Sequence, residues 1–184
     1  MAVIVDSFMK RVHQTVPQSG EIVCVDSTSN LDCNDSKAFH LVCPSPIGGL
    51  PLATIITSRE DTETLVFALQ VLQSVLPSYA FYGRGPKLGP QVLMTDDCDA
   101  ERNALAIIWS AAKLLLCIFH VLQAQWVWLW AQEHGIEHKD RPILLNLFRA
   151  ILYAENKSDR DNRIKILHED PTFLKYPQVS PLFC

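Results

Sequence analysis

The chain has 184 residues, of which 48% are hydrophobic and 20% are charged. This length and balance predict one folded domain with a sizeable core, or one domain plus part of another, and exclude a disordered chain. The formal net charge of −4 argues against a protein that grips nucleic acid by electrostatic attraction alone, because such proteins carry a basic surface.

The first half of the chain predicts three consecutive strands behind a short N-terminal segment. Residues 1–20 form a lead-in that ends in the turn-rich residues Pro17, Ser19 and Gly20. Continuous apolar runs then predict strands, and "PIGG" between the second and third favours a hairpin. The predicted strands are Glu21–Thr28, Ala38–Pro46 and Leu50–Ser58.

Helical spacing follows the third strand. Leucines 65, 69, 72 and 76 recur at this spacing after an N-cap at Asp61 or Thr62, and Pro77 ends the helix. "QVLMTDD" predicts a fourth strand that ends in acids, and "DAERNALAIIW" a capped helix. The apolar run Leu114–Val121 predicts a fifth strand, and helices are expected from about Gln123 onward, including "RPILLNLFRAILYAE".

This order of elements predicts an α/β fold with one mixed five-stranded sheet and flanking helices, followed by the start of an all-helical insertion. The expected boundaries are a lead-in at 1–20, a core domain at 21–121 and a helical segment at 122–184. The Pro-rich end of the sequence suggests that this last segment is truncated. A membrane span over Ala106–Ala131 is the alternative reading of the most apolar stretch, but it would place Lys113 and His120 at bilayer depth.

Two aspartates occupy the positions where an open α/β sheet binds ligands. Asp26 closes the first predicted strand and Asp96 closes the fourth. If these strands are neighbours, their carboxylates lie close together at the carboxyl edge of the sheet and repel each other unless a cation lies between them. Mg²⁺ suits such a site because it prefers oxygen ligands. The alternative is that both aspartates only cap the turns that follow their strands.

The ordered set "VDSTSN", "FHLVCPSPIGGLPLATIITSRE", "VLMTDDCDAERNAL" and "LLLCIFHVLQAQW" resembles the transposase domain of Mutator-like elements (MULE). The resemblance extends from about Glu21 to Trp130. That family has a ribonuclease-H-like, DDE-type core, so the resemblance implies a ribonuclease-H-like fold and metal-dependent cleavage and transfer of DNA strands (DNA transposition). It further implies Mg²⁺ or Mn²⁺ as cofactor, transposon-end DNA as partner, a possible homo-oligomer and a nuclear location.

The resemblance also assigns residues. Asp26 and Asp96 match the first two catalytic, metal-binding acids, while Asp97, Cys117 and His120 are expected beside the active site. The third acid of the family is a Glu after a helical insertion, and none of the glutamates downstream, namely Glu133, Glu137, Glu155 and Glu169, lies in a matching pattern. The chain is therefore expected to be incomplete as an enzyme. The alternative is a catalytically inactive, domesticated remnant that acts as a protein- or DNA-associated interaction module.

Two further sequence features each allow two interpretations. Cys117 and His120 have the spacing of half a zinc site, although the other cysteines offer no second pair at ligand spacing. Trp126, Trp128 and Trp130 could stack on unpaired bases, but packing is the simpler expectation in so apolar a run. Six scattered cysteines predict a reducing compartment without a disulfide framework: Cys24, Cys33, Cys43, Cys98, Cys117 and Cys184.

Overall fold

The computed structural model describes residues 1–28, 32–33 and 35–179, which fall into two compact units, Met1–Cys117 and Ile118–Cys184. The division falls earlier than the expected boundary at residue 121. Within the described residues, the first unit contains six strands in one mixed sheet, in the order β1-β4-β3-β2-β5-β6. The strands are β1 Ala2–Ile4, β2 Ile22–Thr28, β3 Lys37–Ser45, β4 Gly48–Thr57, β5 Val92–Thr95 and β6 Lys113–Leu116.

The predicted α/β class and the meander of three strands are confirmed. Strands β2, β3 and β4 pair antiparallel in succession, and β5 and β6 then run parallel to β2. The prediction of five strands is wrong, because the lead-in contributes a sixth. Ala2–Ile4 pairs antiparallel with β4, so the first residues of the chain form one edge of the sheet.

Helices of the first unit cover one face of this sheet. They are α1 Ser7–Thr15, α2 Gln18–Glu21, α3 Thr62–Val75 and α4 Asp99–Ile108. The Asp61 carboxylate caps α3 by accepting from the Thr64 N–H at 2.9 Å, as the sequence predicts. Alternate strand residues such as Val25, Leu41 and Leu93 are buried in the core with α3 and α4.

The other face of the sheet has no residue in that core. Apart from Ala38, which is buried, its side chains are half-buried or exposed, because the residues between the core positions point away from α3 and α4. Its members include Cys24, His40, Val42, Met94 and Leu115. We call it the open face.

The predicted fifth strand, Leu114–Val121, is only partly right. Strand β6 ends at Leu116, since its partner β5 offers four residues for pairing, and the Cys117 N–H makes a last bond to the Thr95 carbonyl at 2.7 Å. From Ile118 the chain is helical. His120 therefore lies in a helix, and the Cys117–His120 signature does not end a strand.

The second unit is helical in its described part. Its helices are α5 Ile118–Trp130, α6 Arg141–Leu152, α7 Lys157–Glu169 and α8 Pro171–Lys175, with a 3₁₀ turn at Gln132–His134. They surround a separate apolar cluster that includes Leu129, Leu144, Leu167 and Phe173. Two of the tryptophans, Trp128 and Trp130, pack against this cluster, which agrees with the packing interpretation for them.

Candidate active site

The sheet places Asp26 and Asp96 side by side. In the parallel pair of β2 and β5, Cys24 lies opposite Met94. The same register carried two residues further sets Asp26 opposite Asp96. Because side chains alternate along a strand, both aspartates share the open face with Cys24 and Met94, on strands about 5 Å apart. Asp26 is exposed and Asp96 is half-buried, so this pair is accessible to solvent.

The row of side chains continues on both sides of the two aspartates. Asp26 lies opposite His40 of β3, and His40 lies opposite Thr54 of β4. On the other side, Thr95 pairs with Leu116, so the next residues in register are Asp96 and Cys117. Thr54, His40, Asp26, Asp96 and Cys117 thus form a row across five strands, which we call the edge row.

His40 is the member of the edge row that the sequence prediction missed. Its Nδ1 lies 3.1 Å from the Thr54 hydroxyl oxygen, which fixes the orientation of the imidazole ring. The sequence could not reveal this position, because β2 and β3 are connected by residues 29–36 rather than by a short hairpin, and their register is not a local pattern.

Hydrogen bonds in the loop after β5 orient Asp96, whereas the adjacent Asp97 forms an ion pair with another residue. The Cys98 N–H donates to Asp96 Oδ1 at 3.0 Å, and the Thr95 hydroxyl donates to the Asp96 carbonyl at 2.7 Å. Asp97 instead pairs with Arg102 at 3.0 Å, and its side chain is 78% exposed. Of the two adjacent aspartates, Asp96 is the one that follows the register of the sheet.

Glu101, in the first turn of α4, is a buried acid whose carboxyl group interacts electrostatically with Asp96 and Asp26. It is 2% exposed, and neither of its carboxyl oxygens has a hydrogen-bond partner. Its side chain lines a small apolar cavity with residues such as Val25, Phe39 and Leu65. Burial, together with the smaller effect of the negative charges of Asp96, Glu60 and Asp26, raises the pKa of Glu101 to about 8.

Glu101 could have been found from helical spacing. It shares one face of α4 with Ala104, Leu105 and Ile108, at intervals of three, four and seven residues, and that face is the apolar one. An acid on the apolar face of a helix is buried when the helix packs, so this spacing was the available signal.

Glu60 is a second acid near Asp96, and it contacts a lysine and a thiol. Lys37 Nζ is 3.7 Å from a Glu60 carboxyl oxygen, and the Cys98 thiol donates to the other oxygen over 3.8 Å. Burial, followed by weaker effects of Glu60 and Asp96, raises the pKa of the Cys98 thiol. Glu60 therefore has partners, whereas Glu101 has none among the described residues.

The Cys24 thiol, next to Asp26 on the open face, has a raised pKa. Burial raises the pKa of Cys24, and the neighbouring Cys117 and Asp26 raise it further. The five described cysteines are free, and Cys184 lies outside the described residues. A raised pKa keeps a thiol neutral at physiological pH, which makes a redox or nucleophilic role for Cys24 unfavourable.

The other predicted residues belong to the second unit. His120 is the third residue of α5, and its ring makes an edge contact with Phe119 at 5.4 Å between centroids. The four downstream glutamates, at positions 133, 137, 155 and 169, are exposed there. Trp126 stacks on Trp130 at 3.8 Å and is 40% exposed.

The donor set of the edge row fits a hard divalent cation. Asp26 and Asp96 supply carboxylate oxygens side by side, and Mg²⁺ is commonly held by one or two carboxylates together with water and substrate phosphates. In the part of the chain that the structure describes, no three His, Cys, Asp or Glu side chains already converge closely enough to hold a metal ion. The fit therefore rests on the aspartate pair, with the remaining ligands coming from water or substrate.

No family model matches the chain, and no curated protein matches it. Among the described residues, no helix is both long enough and apolar enough to cross a membrane. The apolar stretch Ala106–Ala131 is instead divided among the end of α4, strand β6 and helix α5.

Proposed function

We propose that the chain is a ribonuclease-H-like, DDE-type domain related to Mutator-like transposases, whose reaction is metal-dependent cleavage and transfer of DNA strands. The observation that carries this proposal is the register that sets Asp26 opposite Asp96 at the carboxyl edge of two parallel strands. Nuclear location and homo-oligomerisation come from the same resemblance and stay predictions.

The reason to assign a cation to this pair is electrostatic. Two carboxylates on neighbouring strands, on a face open to solvent, repel each other, and a divalent cation between them removes the repulsion. A cation site at this edge accounts for the presence of two acids on neighbouring strands, whereas capping of the turns that follow β2 and β5 accounts for each acid separately.

The chain's own residues perform distinct tasks in this proposal. Asp26 and Asp96 would hold the Mg²⁺ or Mn²⁺, and the Cys98 N–H would keep the Asp96 carboxylate oriented through its 3.0 Å bond. When bound, such a cation supplies polarisation of a phosphodiester and activation of water or a 3′-hydroxyl. The open face would admit the DNA strand beside the pair.

The test is a Mn²⁺ titration followed by electron paramagnetic resonance on the whole 184-residue chain. Asp26→Asn and Asp96→Asn should each abolish Mn²⁺ binding, because each removes one of the two assigned ligands. Asp97→Asn is the matched control: it removes a neighbouring carboxylate that pairs with Arg102, and it should bind Mn²⁺ as the wild type does. Equal binding by wild type and Asp26→Asn would refute the assignment.

Activity on DNA is tested separately, by nicking of supercoiled plasmid in Mn²⁺. Nicking by the wild type that is lost in Asp26→Asn would show strand cleavage at the aspartate pair, even though no downstream glutamate matches the third acid. A chain that binds Mn²⁺ at the aspartate pair but nicks no DNA would instead fit the inactive interaction module.

A further inference from the structure

We propose that the loop 77–91, together with helix α1 and the start of β6, is a binding surface for single-stranded DNA. This inference deepens the proposed function and rests on it for the choice of DNA, but the surface itself needs no cation. We call the surface the basic end, after the five basic residues that it contains: Lys10, Arg11, Arg84, Lys87 and Lys113.

The basic end has an excess of positive charge in an acidic chain. Among the described residues, none of its five basic side chains forms an ion pair with a carboxylate. The other three basic residues of the first unit, Lys37, Arg59 and Arg102, each form one. Two acids, Asp6 and Glu21, flank the N-terminal helices, so the region keeps a net positive charge that attracts the phosphates of a nucleic acid.

Exposed aromatic rings accompany these charges. Tyr82 is 52% exposed, Phe8 and Tyr79 are also exposed, and the Arg11 guanidinium lies over the Phe8 ring at 5.9 Å. Aromatic rings stack on unpaired bases while lysine and arginine bind the phosphates, and the two together are typical of single-strand binding sites. Because the bases of a duplex are already stacked on each other, this surface favours a single strand.

The backbone of the loop is strained at the residue that presents its most exposed ring. Phe81 and Tyr82 have φ values of 54° and 53°, in the left-handed region that residues with a side chain rarely adopt. Phe81 is fully buried, and its N–H donates to His13 Nδ1 at 3.2 Å, while the Tyr82 N–H donates to the His13 carbonyl at 2.8 Å. These contacts maintain a strained turn that keeps Tyr82 on the surface, and such strain is common at binding sites.

Further hydrogen bonds hold the loop against the rest of the unit. The Pro86 carbonyl accepts from Trp109 Nε1 at 2.8 Å, and the Gln91 N–H donates to the Gly20 carbonyl at 2.9 Å. The basic end is therefore formed before any ligand binds, which lowers the entropic cost of binding.

The position of Lys113 connects the basic end with the two aspartates. Its N–H donates to the Gln91 carbonyl at 2.8 Å, so Lys113 lies beside the end of the loop. It shares the open face with Leu115, because alternate residues of a strand point the same way. The four residues of β5, about 13 Å of strand, separate the loop from Asp96. A DNA strand on the basic end can thus continue over the open face to Asp96.

Fluorescence anisotropy tests the proposal. The whole chain is titrated into a labelled single-stranded oligonucleotide in EDTA, at several salt concentrations. The double variant Lys87→Gln with Lys113→Gln removes two exposed ammonium groups. It should weaken binding about tenfold or more and reduce the slope of log K against log salt by about 1.4, since each phosphate contact on a single strand contributes about 0.7. Arg84 is left in place because its Nε–H bond to the Gly89 carbonyl, at 2.7 Å, holds the loop.

The matched control is Arg160→Gln with Lys165→Gln. It makes the same change of charge on exposed side chains of α7 in the second unit, and it should bind the oligonucleotide as the wild type does.

Tyr82→Asn tests the contribution of stacking. Asn tolerates a positive φ better than most side chains, so the turn is kept while the ring is lost. Binding of the single strand should weaken about tenfold with the salt slope unchanged. Wild type should also bind duplex DNA of the same sequence more weakly than the single strand at equal salt.

Single-strand binding that both basic-end variants weaken, and that the α7 control retains, supports the proposal. A wild type that binds no single strand at low salt, or an equal loss in the α7 control, would overturn it. Duplex bound as tightly as the single strand would also refute it, and this comparison needs no variant to fold. Because EDTA removes any cation, these results are independent of Asp26 and Asp96, and a failure here leaves the Mn²⁺ titration to decide the proposed function.

Discussion

Two buried acids, one in each unit, show opposite environments. Asp140 in the second unit is 7% exposed, and its carboxylate accepts from Tyr176 Oη at 2.7 Å and from Lys175 Nζ at 2.9 Å. The hydrogen bonds from Lys175 and Tyr176 lower the pKa of Asp140. Glu101 in the first unit is also buried, but it has no partner among the described residues, and its pKa is raised to about 8.

The difference shows that hydrogen-bond donors, rather than burial alone, decide the charge of a buried acid. A buried carboxylate with two donors is stabilised as an ion and stabilises the fold. A buried carboxyl group without donors is unfavourable as an ion and keeps its proton to a higher pH. Asp140 is therefore an ion paired with Lys175, whereas Glu101 is a neutral acid at pH 7.

The largest expected effect is on the pH dependence of stability. The folded-state pKa of Glu101, about 8, exceeds the ordinary glutamate value of 4.5, so the folded protein holds this proton over that range while the unfolded chain has lost it. Stability must fall as pH rises from about 4.5 to 8. Between pH 5 and 9, wild type should lose about 3 to 5 kcal/mol of unfolding free energy relative to Glu101→Gln.

Urea unfolding at a series of pH values measures this difference. Glu101→Gln keeps the size of the side chain and removes its ionisation, so the variant should be the more stable protein at pH 8 and above. Parallel pH curves for the two proteins would show that Glu101 is not held as a neutral acid.

A smaller effect is expected in the second unit. Tyr176→Phe removes the hydroxyl that donates to Asp140 and leaves Lys175 in place. The same hydroxyl accepts from the Glu137 N–H at 3.2 Å, so the variant loses two hydrogen bonds, and the unfolding free energy of this unit should fall by about 2 to 3 kcal/mol. Hydrogen exchange of the α6 and α8 amides measures it, and unchanged exchange would show that the Asp140 network contributes nothing to stability.

The smallest effect is expected from Glu60→Gln. Glu60 is partly exposed and pairs with Lys37 at 3.7 Å, so its removal should change stability by less than about 1 kcal/mol. It should nevertheless shift the Glu101-linked pH transition to lower pH, because the Glu60 charge helps to raise the pKa of Glu101. A transition at unchanged pH would mean that the two carboxyl groups do not interact.

The sequence predicts helices and strands well where the pattern is local. It predicts them less well where pairing between distant strands decides the structure. The α3 helix has a leucine stripe, a cap at Asp61 and a stop at Pro77, all of which are local signals. Strand β1 has three residues, and it is a strand because Ala2–Ile4 pairs with β4 more than 50 positions away. The apolar run around Leu114–Val121 fits strand and helix equally, and the length of its partner β5 decides where the strand ends.

The residues of the candidate site also differ in how well the sequence predicts them. Asp26 and Asp96 could be predicted because acids at strand ends are visible in the sequence and a parallel neighbour brings them together. His40 could not be placed, since its position beside Asp26 depends on the register of an antiparallel pair. Glu101 is a first-turn acid whose place on the apolar face of α4, with Ala104 and Leu105, was visible in the sequence and was overlooked.

The most direct test of the cation site is a crystal structure of the whole chain grown with Mn²⁺, with anomalous diffraction measured at the manganese absorption edge. The account predicts an anomalous peak between the carboxylates of Asp26 and Asp96, on the open face of the sheet. A well-diffracting crystal without a peak there, or with Mn²⁺ bound only elsewhere, would contradict the central claim that this aspartate pair is a metal centre.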